Sequence, residues 1–229
     1  TEVVPNLQYV FESIRITKSA LNNRVPLIGF AGAPWTIFSY MIEGKGSKTF
    51  SEAKKMLYVN PVLSHQLLDK ITTSTIAYLK EQIKNGADIV QVFDSWAGVL
   101  SKAQYIEFAL PYMNRISQAI TEVPVVLFAK DAHYILNEFN NTNCSVIGLD
   151  WTIDPEKARR EAPNKTLQGN LDPCVLYADK ATIKKETEKM LQTFGNQRYI
   201  CNLGHGVYPD VSFEKAKYFI ETVQNYRYK

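Results

Sequence analysis

Short apolar runs rich in β-branched residues alternate along the chain with longer stretches of helical periodicity. The runs fall at residues 25–30, 88–93, 123–128, 146–149, 166–168 and 199–202. Each is short or nearly continuous in apolar residues, the pattern of parallel strands covered on both faces. Helical periodicity occupies 50–58, 61–84, 102–120, 133–140, 155–161, 180–192 and 213–226. Six βα units result, and the fold class is α/β.

Helix ends carry recognisable chemistry. Ser101, Asp154, Asp179 and Ser212 stand where a side-chain oxygen can accept from the first free peptide N–H groups of the helix that follows, and Pro155 suits a first turn. Asn85-Gly86 reads as a helix stop, and the run Asn140-Asn141-Thr142-Asn143 as a surface turn.

Every predicted strand is followed by a polar or glycine-rich turn: 32–34, 94–96, 130–131, 150–151, 169–173 and 204–206. Such turns lie on one rim. A (β/α)8 barrel gathers them around one pocket, whereas an open sheet concentrates its chemistry at a single switch point. The pattern favours a TIM barrel lacking about two N-terminal βα units, a single domain over residues 1–229 whose exposed edges are the strands at 25–30 and 199–202.

Composition narrows the function. With 26 Lys+Arg against 23 Asp+Glu the net charge is +3, too weak a field for a nucleic-acid partner. No apolar run approaches the roughly 20 residues of a membrane span, and Glu2, Glu12, Arg15 and Lys18 interrupt any signal-peptide core. Cys144, Cys174 and Cys201 have no CxxC spacing, so neither a disulfide framework nor a zinc ribbon is expected, and a reducing compartment fits.

Six motifs now stand in order at strand ends. They are Gly29-Phe30-Ala31-Gly32-Ala33-Pro34-Trp35-Thr36 with Tyr40-Met41-Ile42-Glu43-Gly44, then Phe93-Asp94-Ser95-Trp96-Ala97-Gly98, Phe128-Ala129-Lys130-Asp131, Gly148-Leu149-Asp150-Trp151, Leu167-Gln168-Gly169-Asn170-Leu171-Asp172-Pro173 and Asn202-Leu203-Gly204-His205-Gly206. Together, from about Val25 to the C-terminus, they resemble the uroporphyrinogen decarboxylases. The resemblance implies a (β/α)8 barrel, a homodimer, cytoplasmic or organellar location, and a step of haem biosynthesis. That step converts the four acetate side chains of uroporphyrinogen to methyl groups, giving coproporphyrinogen without metal or organic cofactor. It also implies an Arg-rich segment and a ring-facing Asp ahead of the third strand, for which this sequence has no counterpart; it opens with Thr1-Glu2-Val3-Val4, expected to be helical already. Residues 1–229 by themselves are therefore expected to be inactive. Lys45, where the family commonly has Gly, is expected to stiffen a mobile loop.

The chemistry asks for a pocket that holds a flexible polyanion, stabilises positive charge on a protonated pyrrole and dehydrates the reacting carboxylate. By resemblance, Tyr40 and Ser95 donate to substrate carboxylates, and His205 binds a carboxylate or positions a proton. Gly204 and Gly206 flank His205 and free its backbone for positive φ. Phe30 and Phe93 offer apolar walls, or belong to the core. Asp131, Asp150 and Asp172 are expected to be caps or loop anchors, His65 a surface or packing residue, and His133 a structural partner.

Three alternative classes remain. Corrinoid-dependent methyltransferases of the same superfamily use His-x-Cys and a later Cys on zinc; no His-x-Cys occurs here. A catalytically inactive porphyrinogen-binding relative is the principal alternative. An unrelated open α/β dinucleotide enzyme is disfavoured because no G-x-G-x-x-G follows a strand.

Overall fold

A computed structural model describes residues 3–228. Thr1 and Glu2, expected to be helical, lie outside the described residues, as does Lys229. Two compact units divide the chain, Thr1–Ser145 and Val146–Lys229.

In the first unit a short 3-10 turn, Val4–Leu7, leads into α1 (Gln8–Leu21), and the chain then enters β1 (Ile28–Gly32). The helices α2 (Pro34–Glu43), α3 (Ser51–Val59) and α4 (Pro61–Lys84) follow, then β2 (Ile89–Asp94) and a 3-10 turn at Ala97–Val99. The unit closes with α5 (Lys102–Phe108), α6 (Leu110–Ala119), β3 (Val125–Ala129), a 3-10 turn at His133–Ile135 and α7 (Leu136–Asn140). Strands β1, β2 and β3 run parallel, with Phe30 opposite Gln91 and Phe93 opposite Phe128. Side chains alternate between the faces of a strand, so Phe30, Phe93 and Phe128 share one face.

The second unit contains β4 (Val146–Gly148), α8 (Pro155–Glu161), β5 (Thr166–Leu171), a 3-10 turn at Pro173–Tyr177, α9 (Lys180–Phe194), β6 (Tyr199–Leu203) and α10 (Phe213–Asn225). Its three strands are also parallel, and α9 and α10 lie together outside them.

Element type follows the sequence pattern; boundaries moved for identifiable reasons. The first strand starts three residues later than the apolar run: the turn that begins at the left-handed Asn22 and Asn23 runs on through Val25, and Pro26 has no N–H to give a ladder. The helix expected over 102–120 is two, broken at Ala109 (φ −123°, ψ −54°), since Pro111 has no N–H to continue the ladder. Helix α2 was not foreseen as an element, although Pro34 at its first position marks it.

Of the expected caps, Ser101 forms a reciprocal capping box with Gln104, Asp154 accepts from the Lys157 N–H and Asp179 from the Thr182 N–H. Ser212 precedes α10 without a side-chain hydrogen bond to it. Asn85 and Gly86 end α4, Gly86 at φ 116°.

Strands β1 and β6 each have one strand neighbour. The free side of β1 is not bare, however. Gln82 of α4 accepts from the Phe30 N–H and donates to the Phe30 carbonyl, both at 2.9 Å.

Candidate functional site

The turn after β2 is braced from several elements of the first unit. Asp94 ends the strand with a fully buried carboxyl whose Oδ1 accepts from the Thr36 hydroxyl at 2.7 Å. The Trp35 indole N–H donates to the Trp96 carbonyl at 3.0 Å. Farther along the turn, the Tyr134 hydroxyl donates to the carbonyls of Ala97 and Leu100, and Lys54 Nζ to that of Val99. These bonds tie α2 and α3 to the segment carrying Ser95 and Trp96.

Tyr40 lies four residues after Thr36 on α2 and is 44% exposed. Its ring sits edge-on to Trp96, with centroids 6.2 Å apart, and to Phe50 at 5.9 Å. Phe50 occupies a left-handed conformation, φ 48°, that a bulky residue adopts only under constraint, and its fully buried ring packs on Trp96 at 4.6 Å. Ser95 is half-buried on the same turn.

Phe30 and Phe93 meet edge-to-face at 5.9 Å, and Phe93 meets Phe128 at 5.7 Å, so an aromatic row crosses the three strands. Phe30 is 61% exposed and so does not belong to the core; Phe128 is buried at the far end of the row. Sequence reasoning missed Phe128 as a member of this row and Trp96 as the partner of Tyr40 and Phe50, although both lie inside recognisable motifs. Lys130, just past β3, pairs with Asp131. Asp131 is left-handed at φ 57°, and it crowds Gly98: a Cβ there would lie 2.4 Å from that of Asp131.

In the second unit Asp150 is fully buried and accepts from the Thr152 N–H at 2.7 Å and from its hydroxyl. Asn170 donates to the carbonyls of Asp150 and Ile153 and so braces the same loop. Trp151, held between them, meets the exposed His205 ring edge-on at 6.1 Å. Neither Gly204 nor Gly206 has positive φ, contrary to expectation. Gly204 is required for closeness, since a Cβ would stand 2.4 Å from the Trp151 nitrogen.

The other acidic and histidine residues each have an identifiable place. Asp172 accepts from the Cys174 N–H and caps its turn, and Asp150 anchors its loop, both as expected. Asp131 accepts the Lys130 ammonium. His65 is a packing residue, stacked on Phe108 at 4.6 Å with Nδ1 2.8 Å from the Tyr112 hydroxyl. His133 is exposed beside Tyr134. Among the described residues no group of three or more His, Cys, Asp or Glu side chains could hold a metal ion, and no helix is long and apolar enough to cross a membrane.

Ionisation is perturbed mainly by burial. It pushes the Asp94 carboxyl up to about 6, against hydrogen bonding from Thr36 and the influence of Tyr105. It also lifts Tyr105 well above its ordinary range and Tyr134 to about 12. Among the thiols, Cys144 is buried, Cys174 exposed and Cys201 half-buried, the last pushed up to about 11 by burial.

Comparison with known proteins identifies the family. The family model described as Uroporphyrinogen decarboxylase (URO-D) matches residues 1–226. A uroporphyrinogen decarboxylase of Flavobacterium johnsoniae is 47% identical over 98% of this chain and 67% of its own length. That of Ovis aries is 47% identical over 98% of this chain and 64% of its own length. The chain thus spans about two thirds of the length of these curated relatives. Among solved structures, a methyltransferase from Methanosarcina mazei superposes with a TM-score of 0.83 at 20% identity, covering 94% of this chain and 63% of its own. A B12-independent methionine synthase from Shewanella superposes at 0.67 with 12% identity, over 93% of this chain and 64% of its own. At those identities the likeness extends to the fold alone, an α/β fold built of successive βα units. With the family model matching nearly end to end, the chain belongs to the uroporphyrinogen decarboxylase family.

Proposed function

We propose that the protein is a uroporphyrinogen decarboxylase acting on the four acetate side chains of uroporphyrinogen III to give coproporphyrinogen III, and that the residues described here supply part of its substrate-binding rim. The observation that carries this reading is the aromatic rim of the first unit. The Tyr40 ring stands edge-on to Trp96, Ser95 adjoins Trp96 in the chain, and the Phe30–Phe93–Phe128 row crosses the strands of the same unit. Such a wall suits the flat apolar face of a macrocycle, and the two hydroxyls suit the carboxylates at its periphery.

The reaction needs no electron carrier. Protonating the ring carbon next to the one that bears the acetate arm leaves a conjugated iminium. Loss of carbon dioxide sends the bonding pair into that ring as an exocyclic methylene, which takes up a proton to become the methyl group as the ring carbon gives its own proton back. The enzyme's part is to bind the anion, hold the reacting carboxylate where water is excluded and stabilise the positive ring. Tyr40 and Ser95 hold carboxylates in this scheme, and His205, exposed beside Trp151, binds a carboxylate or positions a proton. Phe30 and Phe93 dehydrate the ring face. We further propose a homodimer in the cytoplasm that works without metal or organic cofactor. The ring-facing charge partner is not assigned among these residues.

Anaerobic incubation of the full-length protein with uroporphyrinogen, followed by oxidation and separation of the porphyrins by carboxylate number, tests the reading; residues 1–229 alone are expected to leave the substrate unchanged. Stepwise conversion to coproporphyrin is expected. Unchanged uroporphyrin, under conditions in which a relative is active, overturns it.

A further inference from the structure

The Asp94 carboxyl is fully buried, so it meets no substrate, yet it sits between the two hydroxyl-bearing segments of the rim. Its Oδ1 accepts from the Thr36 hydroxyl at 2.7 Å, and the same hydroxyl oxygen accepts from the Trp96 N–H at 3.4 Å. Thr36 is one helical turn ahead of Tyr40, and Trp96 follows Ser95 and supports the Tyr40 ring. Asp94, Thr36 and Trp96 thus form a continuous path of hydrogen bonds from the end of β2 to α2. The Tyr105 hydroxyl faces the same carboxyl and interacts with it.

Building on the function proposed above, we infer that Asp94 is a positioning residue for the decarboxylation: through Thr36 its carboxyl holds the Ser95 turn and the Tyr40 helix in one register. The groups that act on it come from three elements. Thr36 faces it from α2, Tyr105 from α5 and Tyr134 from the His133–Ile135 turn. Burial keeps both phenols neutral through the physiological range. Lys130 donates its peptide N–H to the Asp94 backbone carbonyl at 3.0 Å and keeps its ammonium on Asp131. Since burial lifts Asp94 to about 6, the carboxyl changes charge near working pH. Ionised, it draws the Thr36 hydroxyl into a charge-assisted bond; protonated, it gives a weaker, neutral one. The register is therefore tight above about pH 6 and loose below it.

Two measurements test the inference independently. The first reads activity in the enzyme. Thr36→Val is expected to lower kcat about tenfold with a smaller change in KM, and Thr36→Ser to restore it. The acid limb of the wild-type kcat profile near pH 6 is expected to vanish in Asp94→Asn. The second needs no turnover. In a Trp151→Phe background the emission of Trp35 and Trp96 is expected to shift with a midpoint near pH 6, and the shift to be absent when Asp94→Asn is added. Wild-type kcat in Thr36→Val, or a fluorescence transition that survives Asp94→Asn, overturns the proposal. If the wild type itself releases no carbon dioxide, the functional reading fails, and the fluorescence titration alone decides the positioning role. Should Asp94→Asn fail to fold, Thr36→Val against Thr36→Ser decides it.

Discussion

Gln82 clasps Phe30 through both halves of its side-chain amide, accepting from the Phe30 N–H and donating to its carbonyl. A glutamine that is 2% exposed thereby does for the free side of β1 what a neighbouring strand would do. The approach is so close that a Cβ on Gly29 would lie 2.5 Å from Gln82 Oε1, which explains the glycine. Gln82→Ala leaves two peptide groups without partners and is expected to destabilise the fold by about 2 kcal/mol or more. Urea unfolding reads that loss, and gel filtration reads the self-association an uncovered edge invites.

Asp94 predicts an unusual pH dependence of stability. Its folded-state pKa, about 6, lies above the ordinary value of 3.8, so the folded chain holds this proton more tightly than the unfolded one. The resulting stabilisation is complete below about 3.8 and is lost as pH rises through about 6. Asp94→Asn escapes that loss. Relative to wild type, its unfolding free energy is expected to rise by about 2 kcal/mol between pH 4 and pH 7.5, since each tenfold difference in proton affinity is worth roughly 1.4 kcal/mol and part of the difference has already gone at pH 4. A difference that does not change with pH contradicts the assignment.

Tyr40→Phe and Ser95→Ala each remove one hydroxyl from the rim while leaving its aromatic packing in place. Each is expected to lower kcat/KM by about tenfold to a hundredfold, the loss of a hydrogen bond to a charged group worth roughly 1.5 to 3 kcal/mol. Melting temperatures should move little. Full activity in both variants would make them bystanders.

The two glycines around His205 separate closeness from freedom. Gly204→Ala drives a methyl group to 2.4 Å from the Trp151 nitrogen, whereas nothing lies within 4 Å of a Cβ on Gly206. Gly204→Ala is expected to destabilise the second unit by about 2 kcal/mol and to disturb the His205–Trp151 contact. Gly206→Ala should be nearly neutral. Thermal unfolding of the two variants side by side checks the contrast.

How far the sequence could be read depended on the range of the forces involved. Strand runs and caps are local, and so all six strands and the capping oxygens of Ser101, Asp154 and Asp179 were legible. Pro111 was equally local and should have divided the 102–120 helix. The burial of Asp94 was not legible, because it is imposed by Tyr105 and Thr36, residues distant in the chain. The reason for Gly204 was hidden in the same way: the sequence places it beside His205, and only folding places it against Trp151. Tyr40 and Ser95 were singled out through motif context, whereas the packing of Trp96 against the Tyr40 ring emerged only from the fold.

The contrast among the three thiols gives the protein a built-in attachment point. Cys144 is enclosed and Cys201 stays protonated far above neutral pH, so neither offers a thiolate to an alkylating reagent. Cys174 stands open on the turn directly after β5. A maleimide dye or spin label should therefore settle at one place in the unmodified sequence. That place is at the strand-end side of the second unit, where the arrival of a large macrocycle could be followed without altering any residue assigned to binding it.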